Sequence, residues 1–177
     1  MTQTTQDAKV AVRGGKFLTF FLDREEFGIE ILKVHEIFGM MPVTHVPRTA
    51  KYILGVINLR GKIIPIIDLR LKLSMEAAPR TEETCVIVVH ANGMEVGVMV
   101  DKVSEVVDIP AKDVEDTPTF AAGVDTEYIL GIGKTQSKVK LLLDIDKALS
   151  KQDMHELGSA HAAHAGSVTD ETKDGGN

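Results

Sequence analysis

Residues 17–38 read FLTFFLDREEFGIEILKVHEIF, and residues 86–107 repeat their pattern as VIVVHANGMEVGVMVDKVSEVV. The two stretches align without a gap, so that Phe17 falls on Val86 at an offset of 69 residues. The alignment places Gly28 on Gly97 and repeats the pattern Lys-Val-x-Glu near each end. Internal similarity at a fixed offset indicates one structural unit that is used twice. The sequence therefore predicts two related units in tandem.

A second matched block, Tyr-Ile-Leu-Gly, occurs at residues 52–55 and again at 128–131, an offset of 76. The difference between the two offsets, 76 − 69, gives the second copy seven extra residues between its matched blocks. Insertions of this kind usually lie in surface loops, and we place this one at residues 108–126. We expect a first β unit at about 16–75 and a second at about 84–149.

Short segments rich in Val, Ile, Leu and Phe, separated by turn residues, are typical of β-strands. The turn signals Asp23-Arg24-Glu25 and Ala91-Asn92-Gly93 predict a hairpin in each unit. A unit of roughly 60 residues is only marginally stable alone, so the two units should share an interface or exchange strands. The predicted fold is all-β, with two tandem five-stranded barrels packed together. The clearest strand segments are 16–22, 26–30, 85–90, 95–100 and 138–143.

Glycine and proline positions add detail to this prediction. Gly28 and Gly97 stand inside strand patterns and predict bends or close backbone approaches at barrel corners. Pro65 lacks a backbone N–H, which predicts an edge strand or a bulge. Helix signals are few, and we expect short connecting helices and a C-terminal helix. The helical segments are 48–54, 68–73 and about 144–157.

The ends of the chain are polar. Residues 1–15 contain no apolar run, so we expect a flexible N-terminus without a signal peptide or an anchor. No apolar run approaches the roughly 20 residues that span a bilayer, and no direct membrane insertion is expected. Residues 158–177 hold too little apolar surface to order themselves, so we expect a disordered tail. The folded body should therefore cover residues 16–157.

Composition argues against nucleic-acid binding. The net charge of −6 and the pI near 5.5 do not supply the positive field on which nucleic-acid binding depends. A small β-barrel that binds nucleic acid remains the alternative, but it needs a basic, aromatic-lined face, and the chain has no Trp and only two Tyr. The single cysteine, Cys85, begins an apolar strand and is predicted to be a buried, inert thiol, which fits a reducing cytoplasm.

Catalytic and metal-binding motifs fail at specific positions. The string Gly-Ile-Gly-Lys-Thr at 131–135 resembles the end of a P-loop, but Tyr128 stands where that loop needs its first glycine. The six histidines lack the ligand spacing of a metal site. Neither G-x-S-x-G nor S-x-x-K occurs. The sequence therefore predicts no catalytic site and no metal site.

The two copies differ most between the last glycine of Tyr-Ile-Leu-Gly and the lysine that both copies carry seven residues later, Lys62 and Lys138. The first copy carries Asn58-Leu59-Arg60-Gly61, whereas the second reads Lys-Thr-Gln-Ser at 134–137. Asn58 and Gly61 suit a hairpin reversal, and the planar donor group of Arg60 suits a carboxylate or a carbonyl. Glu36 is the nearest attractive acidic partner. The alternative is that both side chains simply face water.

Five motifs of the chain resemble the CheW family in order and without a missing block: residues 27–37, 55–61, 65–70, 97–103 and 128–131. The resemblance spans about residues 16–157. It implies two five-stranded, SH3-like barrels packed together, with no catalytic activity and no cofactor. It also implies a cytoplasmic protein held at the inner face of the membrane through receptor arrays.

The same resemblance implies a non-enzymatic scaffold that couples chemoreceptors to a histidine kinase in bacterial chemotaxis signal transduction. The implied partners are the regulatory domain of a CheA-like kinase and the cytoplasmic tip of a methyl-accepting receptor. Arg60 and Glu36 are expected to interact and to shape the partner surface. The predicted partner-binding residues are Val34, Glu36, Gly55, Asn58, Leu59, Arg60, Gly61, Gly97 and Val106.

Overall fold

Eleven strands and several short helices form the part of the chain that the computed structural model describes, residues 14–117, 127–150 and 152–159. The strands are β1 Gly15–Leu22, β2 Glu25–Glu30, β3 Val34–Gly39, β4 Ile53–Leu59, β5 Lys62–Asp68, β6 Cys85–Ala91, β7 Met94–Val100, β8 Lys102–Ile109, β9 Val114–Glu115, β10 Ile129–Thr135 and β11 Lys138–Leu143. The α-helices are α1 Leu69–Lys72, α2 Ile145–Ala148 and α3, residues 152–159, and 3-10 turns occupy Ile31–Lys33 and Ala111–Asp113.

The strands form two sheets that mix the two sequence copies. The six-stranded sheet has the order β8-β1-β2-β11-β10-β9, and the five-stranded sheet has the order β3-β6-β7-β5-β4. The hairpin β1–β2 of the first copy therefore lies among strands of the second, and the hairpin β6–β7 of the second copy lies among strands of the first. We call this arrangement hairpin exchange, and it is one of the two outcomes that the small size of each unit predicted.

Each exchanged hairpin joins its new sheet through a parallel strand pair. Gly28 of β2 pairs with Leu142 of β11, and Gly97 of β7 pairs with Ile66 of β5. A Cβ atom at Gly97 would lie 2.3 Å from Ile66 Cδ1, and one at Gly28 would lie 3.0 Å from Leu142 Cδ2. The close neighbour at each glycine is therefore a side chain and not the backbone that the sequence predicted, and glycine allows that side chain to cross the strand.

Tight turns close the hairpins where the sequence predicted them. Asn92 and Gly93 have φ angles of 50° and 80°, and Asp23 has a φ of 55°. Arg60 and Gly61 form the turn between β4 and β5, with φ angles of 53° and 86°. When both central residues have positive φ, as at Asn92-Gly93 and Arg60-Gly61, they form the two-residue turn whose twist matches that of antiparallel strands.

The main hydrophobic core lies between the two sheets. It collects apolar side chains from the exchanged hairpins, such as Phe20, Ile29 and Val98, together with Leu157 of α3. A second cluster around Ile66 fills the inside of the five-stranded sheet, and a smaller one around Phe17 fills the inside of the six-stranded sheet. The two lobes are thus packed together through a shared interior, and the predicted all-β fold of two barrels is confirmed.

Two local predictions were wrong. Residues 48–52 form turns rather than a helix, because Arg48 has a φ of 62° and the Asp68 amide donates to the Tyr52 carbonyl at 2.7 Å. Pro65 lies in β5, which is an interior strand, not an edge. The proline is tolerated there because the β7 ladder begins only at Ile66, so no partner needs the missing N–H.

The end of the chain differs from a single helix over 144–157. The helical segments α2 and α3 are separated, because Leu149 has extended backbone angles of −106° and 94°. Residues 158 and 159, which the sequence assigned to the tail, belong to α3. Residues 1–13, residues 160–177 and the part 118–126 of the predicted insertion lie outside the described residues. The described part of the insertion adds the two-residue strand β9 to the edge of the sheet.

Candidate partner-binding site

The hairpin turn between β4 and β5 carries the most distinctive residues of the first copy. Asn58 lies at the end of β4, and its Oδ1 atom accepts a hydrogen bond from the Gly61 amide at 2.8 Å. This side-chain contact fixes the turn locally, as asparagine commonly does. Asn58, Arg60 and Gly61 are all exposed. The turn therefore presents the Arg60 side chain from a defined backbone.

Arg60 contacts Glu36, as the sequence predicted. Its Nη2 atom donates to both carboxylate oxygens of Glu36, at 2.6 and 2.8 Å. The Arg60 side chain is 71% exposed and the Glu36 side chain 24%. One nitrogen serves both oxygens, so most of the guanidinium group stays accessible from outside. Arg60 can therefore donate a hydrogen bond to an oxygen atom of a partner while it stays paired with Glu36.

The contact joins two strands that are far apart in the sheet. Glu36 lies on β3 and Arg60 follows β4, and these strands form opposite edges of the five-stranded sheet. The two edges approach because Phe38 of β3 and Leu59 of β4 pack on the same apolar cluster inside the sheet. The Arg60–Glu36 pair therefore lies over a seam where β3 and β4 do not pair, and the Thr44–Val56 backbone pair bridges the same seam further along the chain. We call the Arg60–Glu36 contact the seam pair.

More charged residues surround the seam pair, and the sequence did not predict them. Lys62 lies 2.6 Å from Glu95, and His35 lies 4.0 Å from the other Glu95 oxygen. The hydrogen bond from Lys62 holds the pKa of Glu95 below its ordinary value. The repeat aligns Lys62 with Lys138, but it does not indicate the partner of Lys62. That partner, Glu95, lies on β7, which is distant from Lys62 in the sequence.

The other predicted site residues play structural parts near the seam. Val34 and Leu59 are half-buried, and each packs on an apolar cluster. Gly55 is buried with a φ of 142°, and a Cβ atom there would lie 2.0 Å from the Thr44 carbonyl oxygen. Gly97 is buried beneath Ile66. The two glycines are buried and shape the lobe, whereas Val34 and Leu59 keep part of their side chains at the surface.

Val106 does not join the other predicted residues. It lies on β8 at the edge of the six-stranded sheet, paired with Leu18, and it is 52% exposed. Its counterpart Ile37, which was not among the predicted residues, is 43% exposed on β3. The offset of 69 places Ile37 on Val106 and could have revealed the pair. Each lobe thus exposes an apolar side chain at an equivalent edge position.

The six-stranded lobe cannot form a seam pair. The position of Arg60 is taken by Gln136, and that of Glu36 by Glu105. Inside this lobe a buried lysine, Lys140, lies 2.8 Å from Glu26 and 3.7 Å from Glu105. Burial acts to raise the pKa of Glu26, but the bonds from Lys140 and Thr19 outweigh it, and the pKa lies below its ordinary value.

Two features are absent from the described residues. Among them, no group of three or more His, Cys, Asp or Glu side chains is arranged to hold a metal ion. Within the same ranges, no helix has the length and apolar character that crossing a membrane requires.

Comparison with known proteins decides the family. A model of the CheW-like domain matches residues 16–153. The chain belongs to the CheW family. It is 42% identical to Chemotaxis protein CheW of Klebsiella aerogenes over 151 residues, which cover 85% of this chain and 91% of that protein. It is 32% identical to Chemotaxis protein CheW of Rhizobium meliloti over 150 residues, 84% of this chain and 97% of that protein.

A solved structure supports both fold and family. The scaffolding protein TtCheW from Thermoanaerobacter tengcongensis superposes with a TM-score of 0.72 at 32% identity, covering 79% of this chain and 95% of that one. These similarities support the predicted chemotaxis coupling scaffold. None of them supports the alternative of a nucleic-acid-binding module. The seam pair therefore lies on a CheW-like domain.

Proposed function

We propose that this CheW family member is a non-enzymatic adaptor that binds two proteins at once, a CheA-like histidine kinase and a methyl-accepting chemotaxis receptor. The kinase contributes its regulatory domain and the receptor its cytoplasmic tip. The adaptor uses no cofactor. It works in the cytoplasm, at the inner face of the membrane, where the receptor array holds it.

The observation that carries the proposal is the seam pair. Arg60 is presented from a turn that Asn58 fixes, with most of its guanidinium group exposed, and Glu36 orients it from the opposite edge of the sheet. An arginine held in this way can bind a carboxylate or a helix-terminal carbonyl of a partner at little cost in side-chain entropy. The lobe that lacks the seam pair offers Gln136 instead. The two lobes therefore present different surfaces, which suits a protein with two partners.

The two-lobed body explains how binding can transmit a signal without chemistry. A shared core holds the two lobes as one body. A partner on one lobe and a partner on the other are therefore held in a fixed relative position. Coupling then means that the adaptor binds one signalling state of its partners more tightly than the other. This difference in affinity shifts the fraction of the kinase that is active.

Reconstitution with receptor membranes and kinase tests this function. The unchanged chain should co-sediment with the kinase and raise its autophosphorylation rate. Arg60→Glu should reduce that rate to the level without adaptor, while its circular-dichroism melt stays within about 2 °C of the unchanged chain. Lys134→Glu, which places the same charge change on the equivalent hairpin of the other lobe, is the matched control.

The outcomes separate the general function from the assigned residue. Failure of the unchanged chain to bind kinase and receptor would contradict the adaptor function. Full activation by Arg60→Glu would show that the chain is an adaptor whose partner surface lies elsewhere.

A further inference from the structure

The chain that leaves β3 crosses the seam of the five-stranded lobe and joins β4. The Thr44 amide donates to the Val56 carbonyl oxygen at 2.9 Å, and the Val56 amide donates to the Thr44 carbonyl oxygen at 2.9 Å. We call residues 40–44 the seam strap. The Thr44–Val56 bridge is isolated rather than part of a ladder, so the strap depends on the packing of its side chains as well.

Two consecutive methionines lie in the seam strap. Met40 and Met41 pack on the apolar cluster inside the five-stranded sheet, the same cluster on which Leu59 packs. Both are half-buried, so each side chain reaches from this cluster toward the surface. A thioether is flexible and fills irregular gaps well, but its sulfur is also open to oxidation. An oxidant in solution can therefore attack the side chains that hold the strap.

The six-stranded lobe has an equivalent strap without sulfur. The offset of 69 places Ile109 and Pro110 on the two methionines, and Ile109 is fully buried. The chain beyond them forms β9, which pairs with β10 at Ile132, the residue that aligns with Val56 at the offset of 76. No methionine or cysteine occurs between residues 109 and 127. Both lobes thus fasten a strap across the same place, but only the five-stranded lobe does so with oxidisable side chains.

We propose that Met40 and Met41 form a reversible oxidation site whose modification releases the seam strap. The oxidant is a peroxide. A lone pair of the thioether sulfur attacks one oxygen atom of hydrogen peroxide, and the O–O bond breaks. The proton of the new S–OH group passes to the departing hydroxide, which leaves as water. The sulfur is oxidised to a sulfoxide and the peroxide is reduced, so no further reactant is needed.

The sulfoxide changes the packing because it is polar. A polar group without a hydrogen-bond partner is unfavourable in an apolar cluster, so the modified side chains move toward water and draw the strap with them. The Thr44–Val56 bridge then breaks. The cluster also loses part of its packing beneath Leu59, which directly precedes Arg60 of the seam pair. The effect on partners rests on the proposed function, whereas release of the strap does not.

Four other methionines lie in the described residues and serve as controls. Met75, Met94 and Met154 are also half-buried, but they pack on the main core between the two sheets. Met99 is only 8% exposed. Oxidation at these positions can weaken the core, but it leaves the packing of the seam strap in place.

Hydrogen peroxide applied to three forms of the full chain tests the site. The first is the unchanged chain. The second is Met40→Leu/Met41→Leu, called the strap variant, which removes both sulfur atoms at nearly constant volume. The third is Met94→Leu/Met154→Leu, the matched control in the main core. Peptide mass mapping should show a sulfoxide at both strap methionines in the unchanged chain and in the core control.

Amide hydrogen exchange reads the release of the strap directly. After oxidation, exchange at Thr44 and Val56 should become at least about tenfold faster in the unchanged chain and in the core control, because both amides lose their acceptors. The strap variant should show no change. Treatment with methionine sulfoxide reductases should restore slow exchange.

Two results would overturn the oxidation site. One is the absence of sulfoxide at Met40 and Met41 under conditions that oxidise Met94 or Met154. The other is equal acceleration of exchange in the strap variant, which would place the cause elsewhere. If the strap variant does not fold, Met40→Ile, which copies the strap of the other lobe, takes its place under the same criteria.

Kinase activation separates this site from the proposed function. In the reconstituted system, the oxidised unchanged chain should lose at least about half of its activation, and the oxidised strap variant should keep it. Release of the strap without any loss of activation would uphold the oxidation site and show that the partner surface lies elsewhere.

Discussion

Arg60 and Glu36 stand on opposite edges of one five-stranded sheet, yet a single guanidinium nitrogen lies within 2.8 Å of both carboxylate oxygens. The sheet has curled until its edge strands share an apolar interior. The pair is exposed to water, where an ion pair contributes little to the free energy of unfolding. The pair therefore holds Arg60 in a defined position for a partner and contributes little to the stability of the fold.

A double-mutant cycle tests this division. Arg60→Ala, Glu36→Ala and the double variant should give a coupling free energy below about 1 kcal/mol in urea unfolding, because solvent screens the pair. The two single variants should nevertheless each weaken kinase activation. A coupling of about 3 kcal/mol would show that the seam pair holds the barrel closed.

The two equivalent strand glycines should differ in their tolerance of a methyl group. Gly97→Ala should cost about 1–3 kcal/mol in urea unfolding, because its Cβ would lie 2.3 Å from Ile66 and 2.8 Å from Val86, both fully buried. Gly28→Ala is the matched control at the same position of the other copy. It should cost less, because its nearest contact is a Leu142 methyl group at 3.0 Å. Equal losses would contradict this account.

Acid should remove the contribution of Asp101 to stability. The hydrogen bond from Arg70 lowers the pKa of Asp101, helped by the Asp23 amide and the Arg70 charge and opposed by burial. A carboxyl group whose pKa is lowered on folding stabilises the fold above its unfolded pKa of about 3.9, and that contribution is lost as the pH falls through the folded value.

Asp101→Asn provides the measurement, because asparagine does not titrate. The free energy of unfolding of the unchanged chain should exceed that of Asp101→Asn at about pH 6, and the difference should shrink between about pH 5 and pH 2. A difference that stays constant over this range would show that the Asp101 charge does not contribute.

Tyr52 should hold the C-terminal helix against the body. Its hydroxyl group donates to the buried Asp153 carboxylate, which also binds Lys72 at 2.7 Å and the Ser150 amide at 2.7 Å. Burial, followed by the bond to Asp153, raises the pKa of Tyr52, so the hydroxyl group stays protonated and remains a donor. The Lys72 ammonium also lies over the Tyr52 ring, 4.7 Å from its centre.

Tyr52→Phe should therefore cost about 1–2 kcal/mol, because Asp153 loses one of its donors. Amide hydrogen exchange in residues 152–159 should become faster, while exchange in the β6–β7 hairpin stays unchanged as an internal reference. Equal acceleration in both segments would point to global destabilisation rather than release of the helix.

Local signals in the sequence predicted most of the elements. Alternating apolar residues identified the strands, and Asn92-Gly93 and Asn58 identified turns whose conformation depends on only a few neighbouring residues. The failed prediction at residues 48–54 shows the limit of such signals. The backbone of Thr44 pairs with Val56, and this contact between distant residues holds the segment in turns rather than a helix.

The candidate site was predicted in part. The repeat exposed Asn58–Gly61 as a turn sequence that only one copy carries, and the family resemblance suggested the Arg60–Glu36 contact. The neighbours Lys62 and Glu95 were missed, because they meet across strands that are more than thirty residues apart in the chain.

By itself, the sequence determined the repeat, the strands, the turns and the membership of the CheW family, since each depends on the order of residues along the chain. Only the tertiary structure decided that the hairpins exchange between sheets and that the seam pair lies where two edges meet. Both copies carry nearly the same apolar pattern, so local preference leaves either pairing open. The pairing is seen only in contacts between strands that are distant in the chain, such as Gly97 with Ile66 and Gly28 with Leu142.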